Sequence, residues 1–271
     1  MKTFHWLTAA GVAAAVGSSI FGLADAPAGG KKKILFYSAS FGFRHSCVAR
    51  PTDGGLSHAE KVLKEFAGKA GYEVHVSQDF NDLNSAGKLK PYAAVIFYTT
   101  GNPPLDREAL MGYIRGGGAF IGIHPATDTY HQNNGCCPPW PEYIRMIGGA
   151  FAGHDQQQEV AIKVEDPGHP STRHISSDWR ILDEIYRFRE FSRDNVHVLL
   201  SIDTAKISDE SLKKLGMKKG GDYPVSWTRT EGKGRVFYTS LAHREDVWTN
   251  PVWQQHLLGG LAWATEQAGR N

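Results

Sequence analysis

The chain is poor in cysteine, nearly balanced in charge, and has a single long apolar run; each shortage excludes something. Cysteine occurs only at Cys47, Cys136 and Cys137 in 271 residues. No C-x-x-C is present, which argues against a structural zinc knuckle. An odd number leaves at least one thiol unpaired within the chain. A bridge between the neighbours Cys136 and Cys137 would be strained, and pairing of either with Cys47 stays open. Thirty Lys and Arg against 28 Asp and Glu give a net charge of +2, too weak a field for a nucleic-acid face, which needs clustered cations. The one basic run, Lys31-Lys32-Lys33, leads directly into a strand. Neither H-x-H nor H-E-x-x-H occurs, nor an internal repeat or a twin-arginine pair.

The single apolar run lies at the start. Lys2, an uncharged stretch over 7–23 and Ala24-Asp25-Ala26 read as a signal peptide over residues 1–26. The expected location is therefore periplasmic or secreted, with no stable membrane insertion after cleavage. The remaining body, 31–268, suits one α/β domain. Histidine is plentiful, with 12 copies, and there are seven tryptophans.

Periodicity sets out the body. Apolar runs at 34–38, 93–98 and 119–123 predict strands covered on both faces. Helical spacing over 56–70 and 105–115, with returns at Gly71 and Gly116-Gly117-Gly118, alternates with them. This rhythm predicts a parallel sheet with helices on both sides. A loop over 127–141 is long enough to be functional. Strands are expected at 159–165, 184–191 and 197–202, the last two antiparallel to one another. A polar insert over 204–223, a hairpin around Glu231-Gly232-Lys233-Gly234 and a closing helix over 253–268 complete the pattern.

Ligands of open parallel sheets bind at the carboxyl ends of the strands. That rule selects Arg44 and His45 after the first strand, Thr100 after the third, His124 after the fourth, and His243 after the hairpin. His154 lies in a central loop able to fold over the same face. Two readings are open. Neutral imidazoles of His45, His124, His154 and His243 would hold zinc or a similar divalent ion, or they would act as general acid and base. Phe120-Ile121-Gly122-Ile123-His124 has the shape of a nucleophile elbow but presents histidine. Glu245, two residues past His243, is the expected orienter of that ring.

These residues match a known pattern. Phe43-Arg44-His45, Tyr98-Thr99-Thr100-Gly101, the run Gly116 to His124, Trp140-Pro141 with Tyr143, Gly148-Gly149 with Phe151 and His154, Asp183-Glu184 with Tyr186, Pro224-Val225 with Trp227, and His243 follow in order. With them the body resembles the ThuA-like (trehalose-utilisation) family. The resemblance implies a class I glutamine amidotransferase-like fold: a flavodoxin-like three-layer sandwich, mostly parallel, with added antiparallel strands. In that superfamily the elbow carries cysteine and a later His-x-Glu completes the triad. Here His243-Arg244-Glu245 remains and His124 replaces the nucleophile, so amidotransfer is not expected. One departure is Ala242, where the family more often has glycine. The implied ligand is a sugar or modified glycoside, including 3-keto sugars, with Arg44, Thr100, Tyr143 and Trp227 as its contacts. The expectation is a hydrolase, lyase or isomerase; the alternative is a sugar-binding protein without turnover. Self-association stays open.

Overall fold

The computed structural model describes Met1 and residues 30–133 and 136–266. The expected signal peptide from residue 2 onward, the Asn134-Gly135 loop tip and residues 267–268 of the closing helix lie outside them. Contacts divide the chain into Met1–Gly30 and Lys31–Asn271, and the fold is that of the second unit. Among the described residues no helix is long and apolar enough to cross a membrane.

The strands are β1 (Lys32–Tyr37), β2 (Tyr72–Ser77), β3 (Ala94–Phe97), β4 (Ala119–Ile123), β5 (Ala150–His154), β6 (Gln158–Val164), β7 (Arg180–Asp183), β8 (Tyr186–Arg189), β9 (His197–Ile202), β10 (Pro224–Glu231) and β11 (Gly234–Thr239). The helices are α1 (His58–Lys69), α2 (Ala86–Leu89), α3 (Arg107–Arg115), α4 (Pro141–Ile147), α5 (Asp209–Lys214), α6 (Glu245–Trp248) and α7 (Pro251–Thr265). Nine strands form one sheet in the order β2-β1-β3-β4-β11-β10-β9-β6-β7. The first five are parallel and the rest antiparallel.

The period of two along β1 builds three layers. Ile34 and Phe36 pack with Ala59 and Leu63 of α1 and Leu257 and Leu261 of α7. Leu35 and Tyr37 pack on the other face with Leu110 and Ile114 of α3 and Tyr143 and Ile147 of α4. Burying both faces accounts for the unbroken apolar runs. Ser57 and Glu60 close a capping box on α1, and the buried Glu60 carboxylate also receives Arg50. Close approach fixes the hairpin after β10: a Cβ on Gly234 would stand 2.1 Å from the Ile114 carbonyl oxygen and 2.6 Å from that of Gly118. Both are backbone atoms with little room to yield. Gly234→Ala is expected to cost about 3 kcal/mol in urea denaturation; a loss under about 0.5 kcal/mol, the ordinary surface range, would contradict this packing.

One expectation fails. The strands over 184–191 and 197–202 do not pair with each other. β9 pairs with β6 and β10, whereas β8 pairs with β5 in a separate two-stranded sheet. The reason is burial. Five of the six β9 residues are buried and need neighbours on both edges, while β8 buries only Tyr186 and suffices as a two-stranded flap.

Candidate functional site

Register brings the site together. β4 and β11 run parallel with Ile123 beside Thr239, so His124 and Ser240 leave the sheet as neighbours. His124 then turns sharply with φ of +43°, a strained conformation of the kind found at functional sites. Its Nδ1 lies 2.6 Å from the Ser240 carbonyl oxygen. A carbonyl only accepts, so Nδ1 carries a proton, and in the neutral ring Nε2 then presents a lone pair. The ring lies against Tyr186 with centroids 4.1 Å apart.

His45 comes from the loop after β1. Thr100 holds that loop: its hydroxyl donates to the Phe43 carbonyl and accepts from the Gly42 N–H. The His45 ring stands edge-on to His124 and His243, with centroids 5.1 and 5.0 Å away. Burial, then the neighbouring imidazoles, push its pKa down to about 2, so it is neutral at any physiological pH. Its Nδ1 is buried without a hydrogen-bond partner.

His243 is aimed by its flanking peptides. The fully buried Asp183 carboxylate accepts from the N–H of Ala242 at 2.6 Å and of Arg244 at 3.3 Å. Burial raises the Asp183 pKa, against the pull of His124 and these backbone bonds. The Ala242 carbonyl receives Tyr98 Oη and Trp248 Nε1. Ala242 itself has φ of +94°, a backbone position that suits glycine.

Glu184, in the turn between β7 and β8, joins the rings. Its Oε2 lies 3.2 Å from His243 Nδ1 and 3.5 Å from His124 Nε2, and its Oε1 lies 3.2 Å from His154 Nδ1. Burial would raise its pKa, but bonds and charge from His124 and His243 outweigh burial and hold the carboxyl below the usual range. One donor atom each from His45, His124, Glu184 and His243 fall within 4.8 Å of one another, the set among the described residues that could hold a metal. A groove of about 480 Å³ opens at His243, lined also by Ser46, Gln157, Arg244, Glu245 and Asp246.

The sequence-derived set divides accordingly. His45, His124 and His243 converge. His154 sits at the mouth, with 41% of its side chain exposed, and touches the carboxylate instead of the central atoms. Arg44 is exposed on the His45 loop. Four expectations need correction. Glu245 begins α6 with an exposed side chain; Glu184 holds the orienting position expected of it. Tyr143 and Trp227 are fully buried, donating to the Ala126 and Ile147 carbonyls, and build the core instead of a sugar wall. Thr100 is buried and shapes the His45 loop. Cys47 is buried, with its thiol on Tyr98 Oη, and all three cysteines are free.

Residues outside that set also belong here: Asp183, Glu184 and Tyr186. His131, on the long loop, bonds Asp128 Oδ1 at 2.5 Å and Arg189 Nη2 at 2.6 Å. Phe151 separates it from Tyr186. The Asp183-Glu184-Tyr186 segment was the available signal.

The family model described as ThuA, trehalose utilisation, matches residues 33–264. A ThuA-like protein of Bacteroides uniformis ATCC 8492 superposes with a TM-score of 0.67 at 22% identity, over 90% of this chain and 95% of that one. A ThuA-like protein of Parabacteroides merdae ATCC 43184 does so with a TM-score of 0.66 at 19% identity, over 88% of this chain and 90% of that one. At such identities the two structures speak for the fold alone. No curated protein matches the chain.

Proposed function

The chain belongs to the ThuA, trehalose utilisation, family, and from that premise we propose that it is an exported enzyme acting on an oxidised disaccharide, with His45, His124, His243 and Glu184 as its reacting centre. Family membership supports a carbohydrate-related role. The single observation behind catalysis is the convergence of three imidazoles and one carboxylate on one point at the strand ends.

A 3-keto-glycoside suits such a centre. Its ketone acidifies the adjacent C–H, and donors gathered around the carbonyl oxygen stabilise the enediolate that forms. A base removes that proton, and the electron pair moves into the enediolate. From there the pair either returns with a proton at the neighbouring carbon, an isomerisation, or expels the glycosidic oxygen, which leaves with a proton. His154 is placed to carry the proton, because it meets both solvent and Glu184. Arg44, exposed beside His45 in the chain, is the proposed cation for the sugar. A nucleophilic route through the elbow is disfavoured, since His124 spends Nδ1 on Ser240 and its ring is enclosed. Tyr143 and Trp227, expected as sugar contacts on the catalytic and the non-catalytic reading alike, both lie in the core.

His124→Ala is expected to lower cleavage or isomerisation of a 3-keto-disaccharide by about 100-fold or more. Unchanged turnover in a folded variant would overturn the assignment.

A further inference from the structure

We propose that His45, His124, His243 and Glu184 bind one divalent first-row transition-metal ion of the zinc type. The inference deepens the sugar reading by naming that centre's electrophile, and rests on it for the site's purpose; the donor geometry supports it independently.

Four ligands at 2.0–2.1 Å in a tetrahedron stand about 3.3 Å apart. The separations here are 3.2 Å for His124 Nε2 to His243 Nδ1, 3.2 Å for His243 Nδ1 to Glu184 Oε2, and 3.5 Å for His124 Nε2 to Glu184 Oε2. A ring nitrogen of His45 completes the set within 4.8 Å. The His124 tautomer is fixed by a backbone carbonyl, the outer-shell arrangement that turns the other nitrogen into a ligand. His154 plays a comparable part toward the carboxylate by holding Oε1, which leaves Oε2 for the centre.

A proton in place of a metal explains less. One proton on His243 Nδ1 satisfies both His124 Nε2 and Glu184 Oε2. It leaves His45, 4% exposed, with a buried Nδ1 that bonds nothing. A cation engages all four side chains. Imidazole and carboxylate donors favour zinc, iron, cobalt or nickel over calcium and magnesium. Cys47, two residues from His45, is turned away onto Tyr98 Oη, so a thiolate is not part of the set. The groove opens at His243, the side from which a sugar oxygen would enter as a fifth ligand, the expansion that zinc permits.

The test uses the full chain purified without a polyhistidine tag. Elemental analysis is expected to find about one equivalent of metal per chain. After chelator treatment, Co2+ is expected to return at one equivalent with visible absorption bands, and Zn2+ to displace it. Glu184→Gln, close in shape, is expected to weaken Co2+ binding by about 100-fold or more, with circular dichroism unchanged; His154→Ala is expected to keep the one-to-one stoichiometry. A folded, stripped protein that takes up neither Zn2+ nor Co2+, or a Glu184→Gln variant that binds Co2+ as the parent does, would overturn the inference. Turnover of a 3-keto-disaccharide by protein shown to be metal-free would overturn the metal and leave the sugar chemistry standing. One tightly bound Co2+ with every such sugar untouched would do the reverse.

Discussion

Glu184→Gln is expected to reduce turnover of a 3-keto-disaccharide by about 1000-fold, at the upper end of what one preorganised group contributes. Glu184 reaches both the central rings and His154 through its two carboxylate oxygens. Its Oε2 serves His124 and His243, and its Oε1 serves His154. The amide offers one acceptor and one donor in place of two acceptors. Either the central pair or His154 then meets an N–H where it needs an oxygen. Folding should not suffer. A carboxylate enclosed by imidazoles serves reactivity more than stability, and such positions often gain stability when neutralised. The melting temperature of the chelator-treated protein is therefore expected to hold or rise. Steady-state rates and thermal melts on the same preparation decide the matter; a rate within tenfold of the parent would remove Glu184 from the chemistry.

Asp183→Ala is expected to act on both counts, costing about 3 kcal/mol of stability and most of the activity. The carboxylate is fully buried and holds two peptide N–H groups, one on each side of His243. Each group left unpaired costs about 1–3 kcal/mol. Released from these bonds, Ala242 no longer needs its φ of +94°, and His243 loses its aim. Asp183→Asn separates fold from positioning. Its amide oxygen still takes one N–H while its NH2 opposes the other, so it is expected to recover part of the stability but little turnover. Recovery of both together would mean that Asp183 is structural only.

Much of this was legible in the residues. β3, β4 and β1 from Ile34 onward are apolar because helices cover both faces, and the glycines before β4 mark the return. The elbow at His124 was readable from a buried strand ending in one polar residue, and its strained φ gives that reading a physical form. What was not legible depends on contacts far apart in the chain. Glu245 stands two residues from His243, but α6 begins there and turns its side chain to solvent. Glu184 stands 59 residues away and arrives through the β7–β8 turn. Tyr143 and Trp227 carry polar atoms and were expected as ligand contacts from the resemblance; only packing shows that their polar atoms are spent on the Ala126 and Ile147 carbonyls. The β5–β8 flap is short and half exposed, which leaves little periodicity to read.

The most direct test of the central claim is product analysis by NMR after incubating the purified protein with a 3-keto-disaccharide. Conversion of the ketone-bearing sugar, abolished in Glu184→Gln, is the predicted result. Recovery of the intact sugar despite tight binding would contradict it and make the chain a sugar-binding protein.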